Sequence, residues 1–157
     1  SIFSSTINAA DISTNPMETF GIHGDTKVVL LYYNNTTPPM SEVKVNTALL
    51  SIGSNWTKGD ANILVIWFYG YPSNNITDDQ MYVKVNNSKV IYGSRDSDAT
   101  DNIAISRWTQ WNIDLTSFDT NLSNVENLTI GLERIGATGG EGVILLDDIY
   151  LVRRSQE

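Results

Sequence analysis

The chain has 157 residues, with 18 acidic side chains against 10 basic ones for a formal charge of -8, and no cysteine. A single domain of this length buries roughly two thirds of the surface its unfolded form exposes, so it needs neither disulfide nor metal merely to hold a core, and any metal is a local fastener. Thiol nucleophiles, zinc ribbons and iron–sulfur clusters are excluded, and the acidic excess, spread along the chain, opposes nucleic-acid phosphates and anionic bilayers alike.

The first dozen residues are weakly patterned. Lys27 to Tyr33 and Ser41 to Asn46 read as strands, separated by Asn34-Asn35-Thr36-Thr37-Pro38-Pro39, where two prolines forbid a central strand. Ile63 to Tyr69 is an apolar, β-branched run closed by Gly70 and Pro72, expected to be buried on both faces. From Met81 to Asn86 the apolar Met81, Val83 and Val85 alternate with Tyr82, Lys84 and Asn86. From Thr109 to Leu115 the apolar Trp111, Ile113 and Leu115 alternate with Gln110, Asn112 and Asp114, so each strand is expected to have one wet face. A helical turn is expected near Ser117 to Val125. Leu128, Ile130 and Leu132 repeat the alternation, and a glycine-rich stretch from Gly136 to Gly142 leads into Val143 through Val152, so these two strands are expected to form a hairpin. About ten short strands without helical periodicity predict an all-β fold, a two-sheet antiparallel β-sandwich of jelly-roll type, as a single domain over 1–157.

No catalytic set emerges. His23, the only histidine, lies in Gly21-Ile22-His23-Gly24-Asp25 without a recognisable triad around it. Asp78-Asp79 are too close together to face each other across a glycosidase cleft and read as solvated loop residues. The 136–142 glycines lack the Lys-Ser/Thr of a phosphate loop and precede a strand. Asp96-Ser97-Asp98-Ala99-Thr100-Asp101 begins like a calcium loop but has Asp101 where an EF-hand needs Gly and Arg107 where it needs Glu, so it reads as a solvated turn.

Asp147-Asp148 is different, because it interrupts the apolar run Val143 to Val152. Alternation puts Asp147 with Leu145, Ile149 and Leu151, and Asp148 with Leu146, Tyr150 and Val152, so one acid must point toward the core. An unpaired buried carboxylate costs several kcal/mol, more than the roughly 2 kcal/mol that one buried leucine contributes, so hydrogen bonds, a basic residue or a hard cation must neutralise it. Oxygen donors favour calcium. The alternative is a carboxylate that accepts backbone N–H groups at a strand bend.

Sugar rings present an apolar C–H face and a hydroxyl edge, and so are held by aromatic rings beside amides and guanidinium groups. Parity makes Trp111 core and places Trp108, Gln110 and Asn112 on the opposite, polar face. Trp67, Tyr69 and Tyr82, with Lys84, also fall off the main core face. Trp56, Tyr71, Arg95 and Arg107 are the candidates on loops. Asn-x-Ser/Thr triplets occur at Asn34, Asn35, Asn55, Asn75, Asn86 and Asn127, as an Asn/Thr-rich chain produces by chance.

The segments Trp108-Thr109-Gln110-Trp111-Asn112-Ile113-Asp114-Leu115, Asn124 to Gly131, and Gly142 to Leu151 with its Leu146-Asp147-Asp148-Ile149-Tyr150-Leu151 ending resemble the C-terminal half of galactose-binding-domain-like β-sandwiches, which include carbohydrate-binding modules of large secreted bacterial proteins. Leu31-Tyr32-Tyr33-Asn34-Asn35 and Ala61 to Gly70 extend the likeness over about 17–152. The resemblance implies a jelly roll with a structural calcium ion near the chain ends. Carried over by position, Glu18 of Met17-Glu18-Thr19-Phe20 and Asp147 with Asp148 would be its ligands, with Asp25 a further candidate.

The expectation is a noncatalytic carbohydrate-binding module, stabilised by calcium and holding a larger extracellular or cell-surface protein on polysaccharide. The sugar-binding candidates are Trp56, Tyr71, Arg95, Trp108, Gln110 and Asn112. The chain starts with neither an initiator Met nor a basic leader and has no apolar run near the ~20 residues of a bilayer span, so it is expected to be a piece of a multidomain protein with no membrane insertion. Its other partners would be the remaining domains of that protein. The alternative is a structural or protein-interaction spacer built on the same sandwich without a sugar site.

Overall fold

The computed structural model describes residues 5–7, 12–15, 28–36, 39–47, 53–95 and 98–153, with no side-chain description for 5–7, 12–15 and positions 28, 29, 45, 46 and 148. Ten strands run through it in chain order: β1 Ser5–Ile7, β2 Ile12–Asn15, β3 Val28–Asn34, β4 Met40–Asn46, β5 Ile63–Tyr69, β6 Asp79–Val85, β7 Ser88–Ile91, β8 Trp108–Asp114, β9 Asn127–Arg134 and β10 Glu141–Val152. Two five-stranded sheets result, ordered β1-β4-β9-β6-β7 and β2-β3-β10-β5-β8, with every pairing antiparallel. Apart from the β6–β7 hairpin, consecutive strands from β3 to β10 alternate between sheets, which is the jelly-roll path and confirms the predicted fold.

Three readings of the sequence are corrected. β9 and β10 do not form a hairpin: β9 pairs with β4 and β6 in the first sheet, and β10 with β3 and β5 in the second, so the glycine-rich segment crosses between layers. The helical turn is a single 3-10 turn at Leu115–Ser117, capped by the Asp114 carboxylate, which accepts from Thr116 N, and the rest of 117–125 is not helical. The weakly patterned N-terminus contributes β1 and β2, so the sandwich starts before residue 17.

The core lies between the sheets. The inward sets are Leu31 and Tyr33 of β3, Leu64, Ile66 and Phe68 of β5, Met81, Val83 and Val85 of β6, Leu128, Ile130 and Leu132 of β9, and Ile144, Leu146 and Ile149 of β10. Each such side chain contributes roughly 1.5–3 kcal/mol when fully buried. Tyr92 packs edge-on between Phe68 at 5.2 Å and Trp111 at 5.1 Å, filling the β8 side of this layer.

β5 is buried on both faces, as its composition predicts. Val65 and Tyr69 face away from the intersheet core and are nevertheless buried, as is Leu145 beside them. Asp147 belongs to this outer set. A bulge breaks the β10 register: Asp147 lies opposite Trp67 and Tyr150 opposite Val65, so three steps on β10 match two on β5. The predicted alternation therefore fails across the Asp pair. Ile149 turns inward with Leu146, while Asp147 shares the outer face with Leu145 and Tyr150 instead of with Ile149 and Leu151.

Buried polar ties fasten the loops. Asp79, expected as a solvated loop residue, is buried at the start of β6 and accepts from Asn35 Nδ2 at 2.8 Å and Gly140 N at 2.7 Å, while Ser41 Oγ donates to Asn35 Oδ1 at 2.9 Å. Asp78 is half-buried and accepts from Asn75 Nδ2 at 3.1 Å. Asn74 joins the 3-10 turn Thr100–Ala104 to β10: its amide donates to Ile103 O at 2.7 Å and Val143 O at 2.8 Å, and its Oδ1 accepts from Val143 N at 3.0 Å. Four Asn-x-Ser/Thr triplets close on themselves, Asn34, Asn55, Asn75 and Asn121, the last a seventh triplet beyond the six named above, each accepting the backbone N–H two residues on. The abundance of Asn, Ser and Thr thus serves turn formation.

Candidate functional site

Outward-facing side chains of the first sheet line up in rows across its strands. Met40, Glu133 and Gln80 form one row, Glu42, Gly131, Tyr82 and Ile91 the next, and Lys44, Thr129, Lys84 and Lys89 a third. The middle row sets the geometry. Gly131 has no side chain, and a Cβ there would lie 2.8 Å from the Tyr82 hydroxyl. Tyr82 therefore lies across β9, fully buried although it faces outward, and donates to Glu42 Oε2 at 2.5 Å. Desolvation and the hydrogen bond to Glu42 push its hydroxyl pKa far up, which keeps it a donor.

Two ammonium groups roof the ring, Lys89 Nζ at 4.6 Å and Lys84 Nζ at 5.5 Å from its centroid. Lys84 pairs with Glu42 at 3.5 Å and Lys89 with Glu133 at 2.8 Å, while Gln80 Nε2 donates to Glu133 Oε1 at 2.8 Å. The result is a lattice of donors and acceptors spread over four strands, partly exposed and held in place by mutual hydrogen bonds. It can meet several hydroxyls at once, with Met40 and Ile91 as apolar flanks. The reading of Tyr82 as a ring on a wet face is corrected by its burial. Gln80 also lines a pocket of about 340 Å³ beside β7, whose rim carries the exposed Ile76 and Ile135.

Most of the predicted sugar-binding residues gather elsewhere, around edge strand β8 of the second sheet. Tyr69 meets Trp108 edge-on at 5.4 Å and Tyr71 at 5.7 Å, with both outer rings half-buried. Gln110 Nε2 donates to Asn112 Oδ1 at 2.9 Å, and Arg95 Nη1 donates to Asn112 O at 3.1 Å. Trp108, Gln110 and Asn112 share one face of β8 with Tyr71 beside them, and Arg95 reaches the main chain of the same strand. Trp56 does not join them: its indole is fully buried in the core and donates to Gly53 O at 2.9 Å, so it offers no ring to a sugar. Arg107 donates to Asn102 Oδ1 at 2.8 Å and braces the 3-10 turn Thr100–Ala104.

Of the predicted metal ligands, Asp147 is 1% exposed on the outer face of β10. Glu18, Asp25 and the Asp148 side chain lie outside the described residues, as does His23. A buried carboxylate at a bulge has the donor chemistry of a hard-cation ligand. The described residues bring no group of three or more His, Cys, Asp or Glu together, so the remaining donors would have to come from beyond them. Asp98 accepts from Gly93 N at 3.1 Å and Asp101 is exposed, which fits a turn at this cluster.

The first-sheet lattice was legible only in part. Tyr82 and Lys84 stand out by parity, but Glu42, Gln80, Lys89 and Glu133 join them only through strand register.

No family model matches the chain, and no curated protein matches it in sequence. Solved structures do. An exo-β-agarase superposes with a TM-score of 0.66 at 10% identity, over all of this chain and 24% of the enzyme's, so the chain spans about a quarter of that protein. A family 11 carbohydrate-binding module of a cellulosomal cellulase of Clostridium thermocellum gives 0.57 at 13% identity, over 99% of this chain and 89% of the module. A family 28 carbohydrate-binding module specific for non-crystalline cellulose gives 0.55 at 8% identity, over 89% and 79%. The chain has the two-sheet β-sandwich fold of carbohydrate-binding modules.

Proposed function

We propose that the chain is a noncatalytic carbohydrate-binding module that holds a larger extracellular protein against polysaccharide. The observation that carries this reading is the first-sheet lattice, where Gln80, Glu42, Lys84, Lys89 and Glu133 present preorganised hydrogen-bonding groups over four adjacent strands. Such a face suits a chain of hydroxyls better than a single small molecule, and the module would act by raising the local concentration of its partner domains on the glycan. The likeness in fold to carbohydrate-binding modules supports it.

The Trp108–Tyr69–Tyr71 cluster supports a second contact region, because it joins aromatic edges to the amides of Gln110 and Asn112. Affinity electrophoresis against a polysaccharide panel separates the two. Gln80→Ala should abolish retardation if the lattice binds, and Trp108→Ala should do so if β8 binds. Failure of the unaltered chain to bind any polysaccharide would sink the proposal in favour of a structural spacer.

As part of the same reading, Asp147 would hold a structural calcium ion, with Glu18, Asp25 and Asp148 as further donors. Calcium would supply a hard-cation partner for a carboxylate buried on the outer face of β10 and would tie the chain ends to that strand.

A further inference from the structure

We propose that the row Lys44, Lys84 and Lys89 is a subsite for an anionic substituent, a carboxylate or a sulfate ester, on the bound polysaccharide. This rests on the assignment of the sugar site to the first-sheet face.

The register makes the row. Lys44 lies opposite Thr129, Thr129 opposite Lys84, and Lys84 opposite Lys89. At about 4.8 Å between strands the row spans about 14 Å. It holds three of the five lysines in a chain whose net charge is -8. Like charges placed directly opposite one another destabilise a sheet, so the Lys84–Lys89 juxtaposition carries a cost.

The neighbours relieve that cost only in part. Lys84 leans to Glu42 in the adjoining row and Lys89 to Glu133 two rows away, and the two ammonium groups rest on the Tyr82 ring. Lys44 is exposed and makes no ion pair with a described residue. Among the described residues of these rows, three lysines and two glutamates leave one positive charge in excess. Thr129, 1% exposed, forms the floor between Lys44 and Lys84. An anionic group above that floor would lie between Lys44 of β4 and Lys84 of β6, and would draw the Lys84 and Lys89 ammonium groups back from Glu42 and Glu133. The existing pairs do not block it, because the lysines are 24% and 35% exposed and each ammonium has three donors to divide between its carboxylate and a ligand.

The test is affinity electrophoresis and titration calorimetry at about 0.15 M salt, where the repulsion from distant acids is screened. The probes are polygalacturonate, a sulfated galactan and neutral hydroxyethyl cellulose. The proteins are the unaltered chain, Lys44→Gln, Lys89→Gln and Lys58→Gln, the last removing a lysine from a turn far from the row in sequence. Retention by at least one anionic polymer, weakened about tenfold by Lys44→Gln and by Lys89→Gln but not by Lys58→Gln, is expected for the loss of a charge-assisted contact. The two anionic polymers distinguish carboxylate from sulfate. Binding to the neutral polymer alone, or anionic binding indifferent to both row variants, overturns the inference and leaves the carbohydrate reading standing. Binding to none of the polymers overturns both. Lys44→Gln breaks no ion pair among the described residues, so its effect is not a folding defect, and an unchanged melting curve checks this.

Discussion

Tyr82 reaches across Gly131 to hydrogen-bond Glu42 at 2.5 Å, so the absence of a side chain on β9 is what lets an aromatic ring lie flat on the outside of the sheet. A Cβ at position 131 would sit 2.7 Å from Ser41 O as well, and a backbone oxygen cannot swing away. Gly131→Ala is expected to cost about 1–3 kcal/mol and to displace the ring together with both lysines above it. Urea denaturation reads the first effect. Loss of polysaccharide binding out of proportion to the loss of stability reads the second.

Asn74 satisfies three main-chain groups, on Ile103 and on both sides of the Val143 peptide unit. Asn74→Ala takes the partner from the N–H and C=O of Val143, while Ile103 O keeps the Tyr71 N–H at 3.1 Å, at a cost of roughly 1–3 kcal/mol. Asn74→Asp keeps the acceptor but sets a buried carboxylate oxygen against the Ile103 and Val143 carbonyls, and should be at least as destabilising as Asn74→Ala. Chemical denaturation of the three proteins gives the order directly.

Alkaline pH should unfold the protein early. Burial pushes the Tyr33 hydroxyl up to about 12 from an ordinary value of 10, and desolvation with the Glu42 hydrogen bond raises Tyr82 as well. The native state therefore retains protons that the unfolded chain releases, and the stability contribution is complete below pH 10 and lost as pH rises toward 12. Melting temperature against pH should turn down near 10. Tyr33→Phe should be less stable at neutral pH, where Asn75 N–H loses its acceptor, yet decline less steeply above pH 10.

The calcium reading makes a separate prediction. A cation that binds only the folded form stabilises it by mass action, so a chelator should lower the melting temperature of the unaltered chain. Asp147→Asn keeps the shape and removes the charge. If calcium is bound, this variant should melt low and show no response to chelator. Identical melting of the unaltered chain with and without chelator, together with no loss in the variant, would show that no cation is held there.

Much of the sandwich was written in local pattern. The alternation of Met81, Val83 and Val85, and of Leu128, Ile130 and Leu132, marks inward faces because one sheet face packs on the core whatever its neighbours are. Partners are not local, which is why β9 and β10, adjacent in sequence across a turn-like segment, could be read as a hairpin when they lie in different sheets. The acid in β10 was legible because charge among apolar residues needs a cause. Its face was not, because a bulge shifts the period without any mark in composition. Trp56 misled for a related reason: a tryptophan on a loop reads as available, and only the closing of that segment over the core shows that its ring is taken. Glu42, Lys89 and Glu133 carry no motif at all, and their grouping follows from which strands pair and in what register.

The extra residue in β10 makes the strand tolerant at one place and intolerant elsewhere. Removal of Asp148 would leave Asp147 opposite Trp67 and Tyr150 opposite Val65, now with a single residue between them, so the ladder closes into regular pairing and every flanking side chain keeps its side. Removal of any one residue from Ile144 to Leu146 would rotate one arm of the strand and turn leucine outward and carboxylate inward. A shortened relative of this chain would therefore be expected to carry its gap at 148, and a single aspartate in that strand would still encode the same sandwich.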